Sequence, residues 1–239
     1  MKKILLLLPL ILFCEHPLRT QYIATGYIAK FESGKCIALF LISKRYYKNP
    51  DDKKYAEMPF IGDTSPSIPE GFEYAYNAEV KINNIELEYK GEGIFLNQNI
   101  SLEEETLYVA DVDIKGKGKN SSPAILPLTF TISECNPDTV YTGQYFVLKW
   151  CSACNYAEFY ILRMIHDSDT TLYYTKETEW EFASGLQDTG LYIYDVCAVN
   201  GSWYDVHYTN RLPELSENPL ILFCAVTVTK KDSLRCISK

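Results

Sequence analysis

Histidine is scarce in this sequence, with three among 239 residues, and methionine is equally rare. His16 lies close to the N-terminus, leaving His166 and His207 for acid–base work, and no Gly-flanked serine elbow or His-rich metal string accompanies them. Clusters of Lys and Arg are also missing. The 23 basic residues face 31 acidic ones, a formal charge of −8, which argues against a nucleic-acid groove or an anionic-membrane patch. Only 12 Gly and 11 Pro are present, which excludes a fibrous chain. The apolar run from Ile4 to Phe13 is too short to cross a hydrocarbon core, which takes roughly 20 residues as a helix. Helical periodicity is not sustained anywhere after residue 20. What the chain has in plenty is tyrosine, 19 in all, within a composition that is 47% apolar and 14% aromatic, too rich in core-forming residues for a disordered chain. The length suits one large or two small domains.

The basic start Met1-Lys2-Lys3 and the short apolar run have the layout of a secretion signal. No Ala-x-Ala-like cleavage site follows, since Glu15, His16 and Pro17 come next. Ile11-Leu12-Phe13-Cys14 resembles the lipobox of bacterial lipoproteins, in which cleavage leaves the cysteine as a lipidated N-terminus. Bulky Phe13 departs from that pattern, which wants a small residue there; the other reading is an uncleaved signal with Cys14 as a bystander. The resemblance implies a signal over residues 1–14, a tether over 15–20, a lipid on Cys14 and an exported protein anchored to a membrane of the cell envelope. Loss of Lys2 and Lys3 would take the charge to −10.

The rest reads as strands separated by turns. Tyr22 to Phe31 and Cys36 to Ser43 flank the turn Glu32-Ser33-Gly34-Lys35. A polar stretch over 44–71, with Pro50, Pro59, Pro66 and Pro69, exceeds ordinary connections and is expected to be a long loop. Tyr74 to Ile82 and Ile85 to Lys90 flank Asn83-Asn84, which predicts a type I′ hairpin because Asn tolerates positive φ. Gly93 to Asn99, Thr106 to Ile114 and Pro123 to Phe130 bring the total to about seven strands, an antiparallel sandwich over residues 21–132. Glu79-Val80-Lys81-Ile82-Asn83-Asn84 with the later Gly93-Ile94-Phe95 looks like the small Ig-like domains of bacterial surface lipoproteins.

Residues 133–230 carry a sharper likeness. Phe146-x-Leu148-x-Trp150, Tyr160-x-Leu162-x-Met164, Leu172 to Thr175, and Leu186 followed by Gly190 and Tyr192-x-Tyr194-x-Val196-x-Ala198-x-Asn200 together resemble a fibronectin type III module. The resemblance implies a core tryptophan at Trp150, inward-facing Tyr160, Tyr192 and Val196, and a tyrosine corner in which the Tyr192 hydroxyl bonds back to the loop after Leu186. Leu220 to Thr229 would be the last strand and 231–239 a C-terminal tail. The chain departs from the family in having Gln187-Asp188-Thr189 where a proline is usual, and in a longer final loop.

Seven cysteines follow Cys14, an odd count that leaves at least one unpaired. Strand parity points Cys197 out and Cys224 in, so a bridge between them is not expected. Trp150-Cys151-Ser152-Ala153-Cys154 mimics the thioredoxin active-site string without the helix its thiolate needs. Cys151 and Cys154 are weak metal candidates, because zinc needs four ligands and no second pair stands at suitable spacing. No cofactor is expected. Glu103-Glu104-Glu105, Asp111-x-Asp113 and Asp167-x-Asp169 read as solvated acidic loops. Binding candidates lie in the 200–219 loop: Trp203, Tyr204, His207, Tyr208 and Arg211, which either recognise a partner or pack onto the sandwich. Arg45, Tyr46, Tyr47 and Tyr55 form a lesser set. The sequence thus predicts an all-β protein of two antiparallel sandwiches in tandem, exported and non-catalytic, serving binding, adhesion or envelope assembly through a protein or polysaccharide partner, with no nucleic acid. The alternatives are a carbohydrate-binding accessory that stacks sugars on Trp203 and Tyr208, and a thiol or metal protein built on Cys151 and Cys154.

Overall fold

The computed structural model describes residues 18–47, 59, 61–62, 64–66, 68, 71–153, 155–202 and 219–239, and every regular element among them is a strand. The first two, β1 (Arg19–Phe31) and β2 (Cys36–Tyr47), form a long antiparallel hairpin registered from Arg19 opposite Tyr47 to Lys30 opposite Cys36. Two expectations shift here. The end of the tether, from Arg19, is already in the ladder, and residues 44–47 continue β2 instead of opening the loop. Short β3 (Glu73–Tyr74) pairs with that extension.

Next come β4 (Ala78–Ile82), β5 (Ile85–Glu86), β6 (Glu88–Gly91), β7 (Ile94–Asn97), β8 (Leu107–Ile114) and β9 (Gly118–Ile125). Strands β7 and β6 extend the β1–β2 sheet, while β5, β4, β8 and β9 make a separate four-stranded layer. The two layers close over Ala24, Ile28, Phe40 and Phe95 from one side and Val80, Ile82, Ala110, Val112 and Ile114 from the other. Gly26 is what lets them close: a Cβ there would lie 2.4 Å from the Phe40 ring and 2.5 Å from the Leu39 carbonyl oxygen. The Asn83-Asn84 turn forms as its residues demand, with φ of 46° and 70° between Ile82 and Ile85. Asn83 also accepts the Val109 N–H at 2.8 Å, stitching the turn to β8.

The second sandwich comprises β10 (Thr139–Tyr141), β11 (Phe146–Lys149), β12 (Phe159–His166), β13 (Asp169–Thr175), β14 (Glu179–Phe182), β15 (Gly190–Gly201), β16 (Leu220–Val228) and β17 (Asp232–Ile237). One layer is the β11–β14 pair, extended by the Ile132–Trp150 bridge; the other runs β10, β17, β15, β12, β13. Between them lie Phe130, Leu148, Trp150, Tyr160, Leu162, Tyr192, Tyr194 and Val196. Trp150 is 4% exposed. The Tyr192 hydroxyl donates to the Asp188 carbonyl at 3.0 Å, with Leu186 buried in the same core.

Residues 231–239 are not a tail. After a break at Lys230-Lys231 the chain resumes as β17, antiparallel to β15 and parallel to β10, burying Leu234 and Cys236. The alternation Ser233-Leu234-Arg235-Cys236 is the strand signal, and the paired lysines mask it.

The two sandwiches are not merely adjacent. Strand β16 runs antiparallel to β15 on one side and parallel to β1 on the other, from Ile23 opposite Leu220 to Phe31 opposite Val228. All nine of its residues are buried. A single 11-stranded sheet therefore passes through both halves. On β16, Ile221, Phe223 and Ala225 enter the first sandwich's core, while Leu220, Leu222, Cys224, Val226 and Val228 enter another cluster. That cluster gathers Tyr27, Ile37 and Leu39 from the first half and Phe159, Ile161, Cys197 and Val199 from the second, with Ile61 and Phe72 closing it.

Candidate functional site

The most concentrated polar chemistry among the described residues is a buried ion pair on the covered face of the shared sheet. Tyr160, Leu162 and Met164 point into the second core, so Arg163 between them points the other way; the same parity on β15 turns Asp195 outward, directly opposite. Both Nε and one terminal nitrogen of Arg163 meet the Asp195 carboxylate at 2.6 Å, and the remaining nitrogen donates to the Ile61 carbonyl. Arg163 is 7% exposed and Asp195 2%. Burial alone would depress the guanidinium's pKa, but the neighbouring Cys197 and the Asp195 carboxylate outweigh it and hold the value above the ordinary one. Burial pushes the Cys197 thiol up to about 12, so it stays neutral and unreactive at physiological pH. With the carboxylate bound bidentately and all three guanidinium nitrogens engaged, the cluster acts as a clasp that ties the 61–62 turn to β12 and β15. The sequence reading missed this pair, although strand parity and opposite charge were both available to find it.

The acidic stretches resolve into structural roles. Glu104 bonds Lys30 at 2.7 Å and Thr129 through its N–H at 3.1 Å and hydroxyl at 2.5 Å. Partial burial raises its pKa, yet the bonds from Lys30 and Thr129 prevail and the carboxyl lies below the usual value of 4.5. A depressed carboxyl contributes stability that is present above its unfolded pKa and fades as pH falls through the folded one. Glu104→Gln should therefore lower stability by about 1 kcal/mol near neutrality, and the gap between variant and wild type should close below pH 4.5. Urea titrations at pH 7 and pH 3.5 read this out; an equal gap at both pH values contradicts it. Asp167 adopts φ 54° in the β12–β13 turn, beginning where His166 opposes Asp169. Asp111 takes Ser121 at 2.5 Å and Lys119 at 3.4 Å. No group of three or more His, Cys, Asp or Glu side chains suited to a metal ion occurs among the described residues. Two open hollows, of about 440 Å³ around Tyr76, Glu79 and Asp113 and about 320 Å³ around Glu88, Lys90 and Asn97, are lined by surface groups.

Three neutral side chains stand apart. Gln21, Thr25 and Ser43 are buried on one face of β1 and β2, Ser43 opposite Ile23 and diagonal to the other two, and their side-chain polar atoms have no hydrogen-bond partner among the described residues. An unpartnered buried hydroxyl costs roughly 1–3 kcal/mol. Thr25→Val keeps the shape and removes that cost, so it should raise stability by about 1 kcal/mol. Thermal unfolding measures it, and a loss of stability would show that the hydroxyl is bonded in solution.

The cysteines need one correction. Cys197 does point away from the second core, but Cys224 joins it on the same covered face instead of pointing inward. They remain free thiols, because Cys197 lies opposite Val228 and Cys224 opposite Gly201, four places along the ladder. Cys151 is an exposed free thiol after β11, bonded by its N–H to the Thr131 carbonyl at 2.9 Å, and the next regular element among the described residues is strand β12. Cys14, Tyr55, Cys154, Trp203, Tyr204, His207, Tyr208 and Arg211 lie outside the described residues. The roots of the 203–218 segment are described: Ser202 donates to the Phe223 carbonyl at 2.8 Å, and Asn120 donates to the Pro219 carbonyl at 2.9 Å.

No family model matches the sequence, and no curated protein does. Among solved structures, the chain is similar to FN3tt, at 17% identity and TM-score 0.22, covering 44% of this chain and 91% of that one. It is also similar to the fibronectin(III)-like modules of Clostridium thermocellum CbhA, at 10% identity and TM-score 0.29, covering 92% and 94%. The fold itself stands on strand order, the buried Trp150 and the Tyr192 corner. The second sandwich is fibronectin type III-like.

Proposed function

We propose that this protein is an exported, lipid-anchored module of the cell envelope that binds a protein or polysaccharide partner and carries out no catalysis. The observation behind the binding role is that the shared sheet fixes the residues on either side of positions 203–218. The flanking residues are Gly201, the last of β15, opposite Cys224, and Leu220, the first of β16, opposite Ile23. A rigid base under a segment containing Trp203, Tyr204, His207, Tyr208 and Arg211 is the arrangement that recognition loops use. The non-catalytic reading is supported by Arg163 and Asp195 on β12 and β15 and by Glu104 between β7 and β8, each of which is held by partners within the fold. Anchorage rests on Ile11-Leu12-Phe13-Cys14.

Two variants test this reading in cells. Cys14→Ser should abolish incorporation of a labelled fatty acid and release the protein from the membrane fraction. Trp203→Ala with Tyr208→Ala should leave thermal unfolding unchanged while ending retention by purified envelope polysaccharide or by envelope protein. Retention that survives the double variant sinks the loop as the binding site.

A further inference from the structure

The four-stranded layer of the first sandwich turns one face outward, and one end of that face departs from an ordinary solvated sheet. Val80, Val112 and Ile114 point into the core, so Glu79 on β4 and Asp113 on β8 point out, and the ladder sets those two directly opposite each other. Like charges in that position repel and weaken the sheet. Lys81 answers Glu79 at 2.5 Å, but no described residue bonds the Asp113 carboxylate. Beside them stands Tyr76, 61% exposed, more than any other aromatic among the described residues, and no described ring packs on it.

Tyr76, Asn77, Glu79, Asp113 and Lys115 surround the open hollow of about 440 Å³, a volume within the range of small-ligand sites. Its frame is fixed by the backbone. The Ala75 N–H donates to the Ile42 carbonyl at 3.0 Å, the Lys115 N–H donates to the Asn77 carbonyl at 2.9 Å, and Ala78 opposes Ile114. The side chains of Asn77 and Lys115, like that of Asp113, bond to no described residue.

We infer that this hollow binds a neutral polysaccharide, with a sugar ring laid on Tyr76 and its hydroxyls met by Asn77, Asp113 and Lys115. A pyranose has a face of polarised C–H groups and a rim of hydroxyls. The negative face of a tyrosine ring attracts the first. For the second, a carboxylate accepts, an ammonium donates and an amide does both. Charge selects the neutral ligand. Glu79 and Asp113 are balanced by Lys81 and Lys115, so a sulfated or phosphorylated chain meets the carboxylates and a polycation meets the lysines. Hydroxyls donated to Asp113 also ease its repulsion from Glu79. An open hollow suits an inner stretch of a chain, and affinity for a hexasaccharide is expected on the order of 1 mM. The site uses none of positions 203–218, so it stands or falls separately from the loop proposed above.

Calorimetric titration of the full chain with neutral hexasaccharides of glucose, mannose, galactose and N-acetylglucosamine, each up to about 10 mM, tests it. At least one should bind the wild type. Tyr76→Ala should weaken that binding about 10-fold or more, whereas Tyr76→Phe keeps the ring and should cost under about 3-fold. Both should leave the melting temperature within about two degrees, since no described ring packs on Tyr76. Asp113→Asn should weaken binding several-fold while the melting temperature holds or rises, because the repulsion from Glu79 goes with the charge. Trp203→Ala with Tyr208→Ala should leave this binding unchanged. A wild type that binds none of the four overturns the inference, as does binding that survives Tyr76→Ala or that the Trp203/Tyr208 double variant abolishes.

Discussion

Asp195→Ala should destabilise the protein by about 3–5 kcal/mol, the range for breaking a buried pair by removing one partner. The loss arises mainly from what remains. Arg163 would keep its charge at 7% exposure without the carboxylate that neutralises it, and a guanidinium cannot shed its proton to escape. The double variant Arg163→Met/Asp195→Leu removes both charges together and should recover at least half of that loss. Full recovery is not expected, since the Ile61 carbonyl loses its donor. Guanidinium titrations of the three proteins decide the matter. If Asp195→Ala costs under 1 kcal/mol, or the double variant is no better than the single, the clasp does not hold the 61–62 turn in the manner described.

How this pair escaped the sequence reading shows where such reading stops. Inward parity was legible wherever a large aromatic fixed it: Trp150, Tyr160 and Tyr192 each lie in the core expected of them, and Asn83-Asn84 makes its turn. Local chemistry settles those features. What lay beyond was set by pairing between distant parts of the chain. Positions such as Arg163 and Cys197 face outward from the second core, and outward ordinarily means solvent. Here it means a second buried layer, because the sheet folds on into the first sandwich.

A signal for this was present. Ile37-Ala38-Leu39-Phe40-Leu41-Ile42 and Leu220 to Val226 are apolar at every position, whereas a sandwich strand with one wet face alternates. Unbroken apolar strands require cover on both faces, and β2 and β16 have it. The parallel match of β1 to β16 could not be read in the same way, since nothing local relates residues almost 200 places apart. The Lys230-Lys231 break hid β17 for a simpler reason: two charges interrupt a strand that is continuous in space against β15.

The shared strand makes a stronger demand on folding than two tandem sandwiches would. A fragment of residues 18–132 contains β1 to β9, yet it should not form a stable domain. Without β16 it loses Ile221, Phe223 and Ala225 from its own core, including Phe223 stacked 5.7 Å from Phe40, and it bares the backbone edge of β1 along nine registered positions. Burying one Ile or Phe side chain is worth about 1.5–3 kcal/mol, so the core losses alone approach the 5–15 kcal/mol that holds a whole domain together. The other face fares worse, since Tyr27, Leu39 and Leu41 pack there against Leu222, Cys224 and residues of β12 and β15 that the fragment lacks. The fragment should show a collapsed amide proton spectrum and no sigmoidal melt, whereas the full chain should unfold in one transition that spectroscopic probes of both halves report at the same temperature. A well-dispersed, cooperatively melting 18–132 fragment would mean that β16 is an accessory to the first sandwich and not its interior strand.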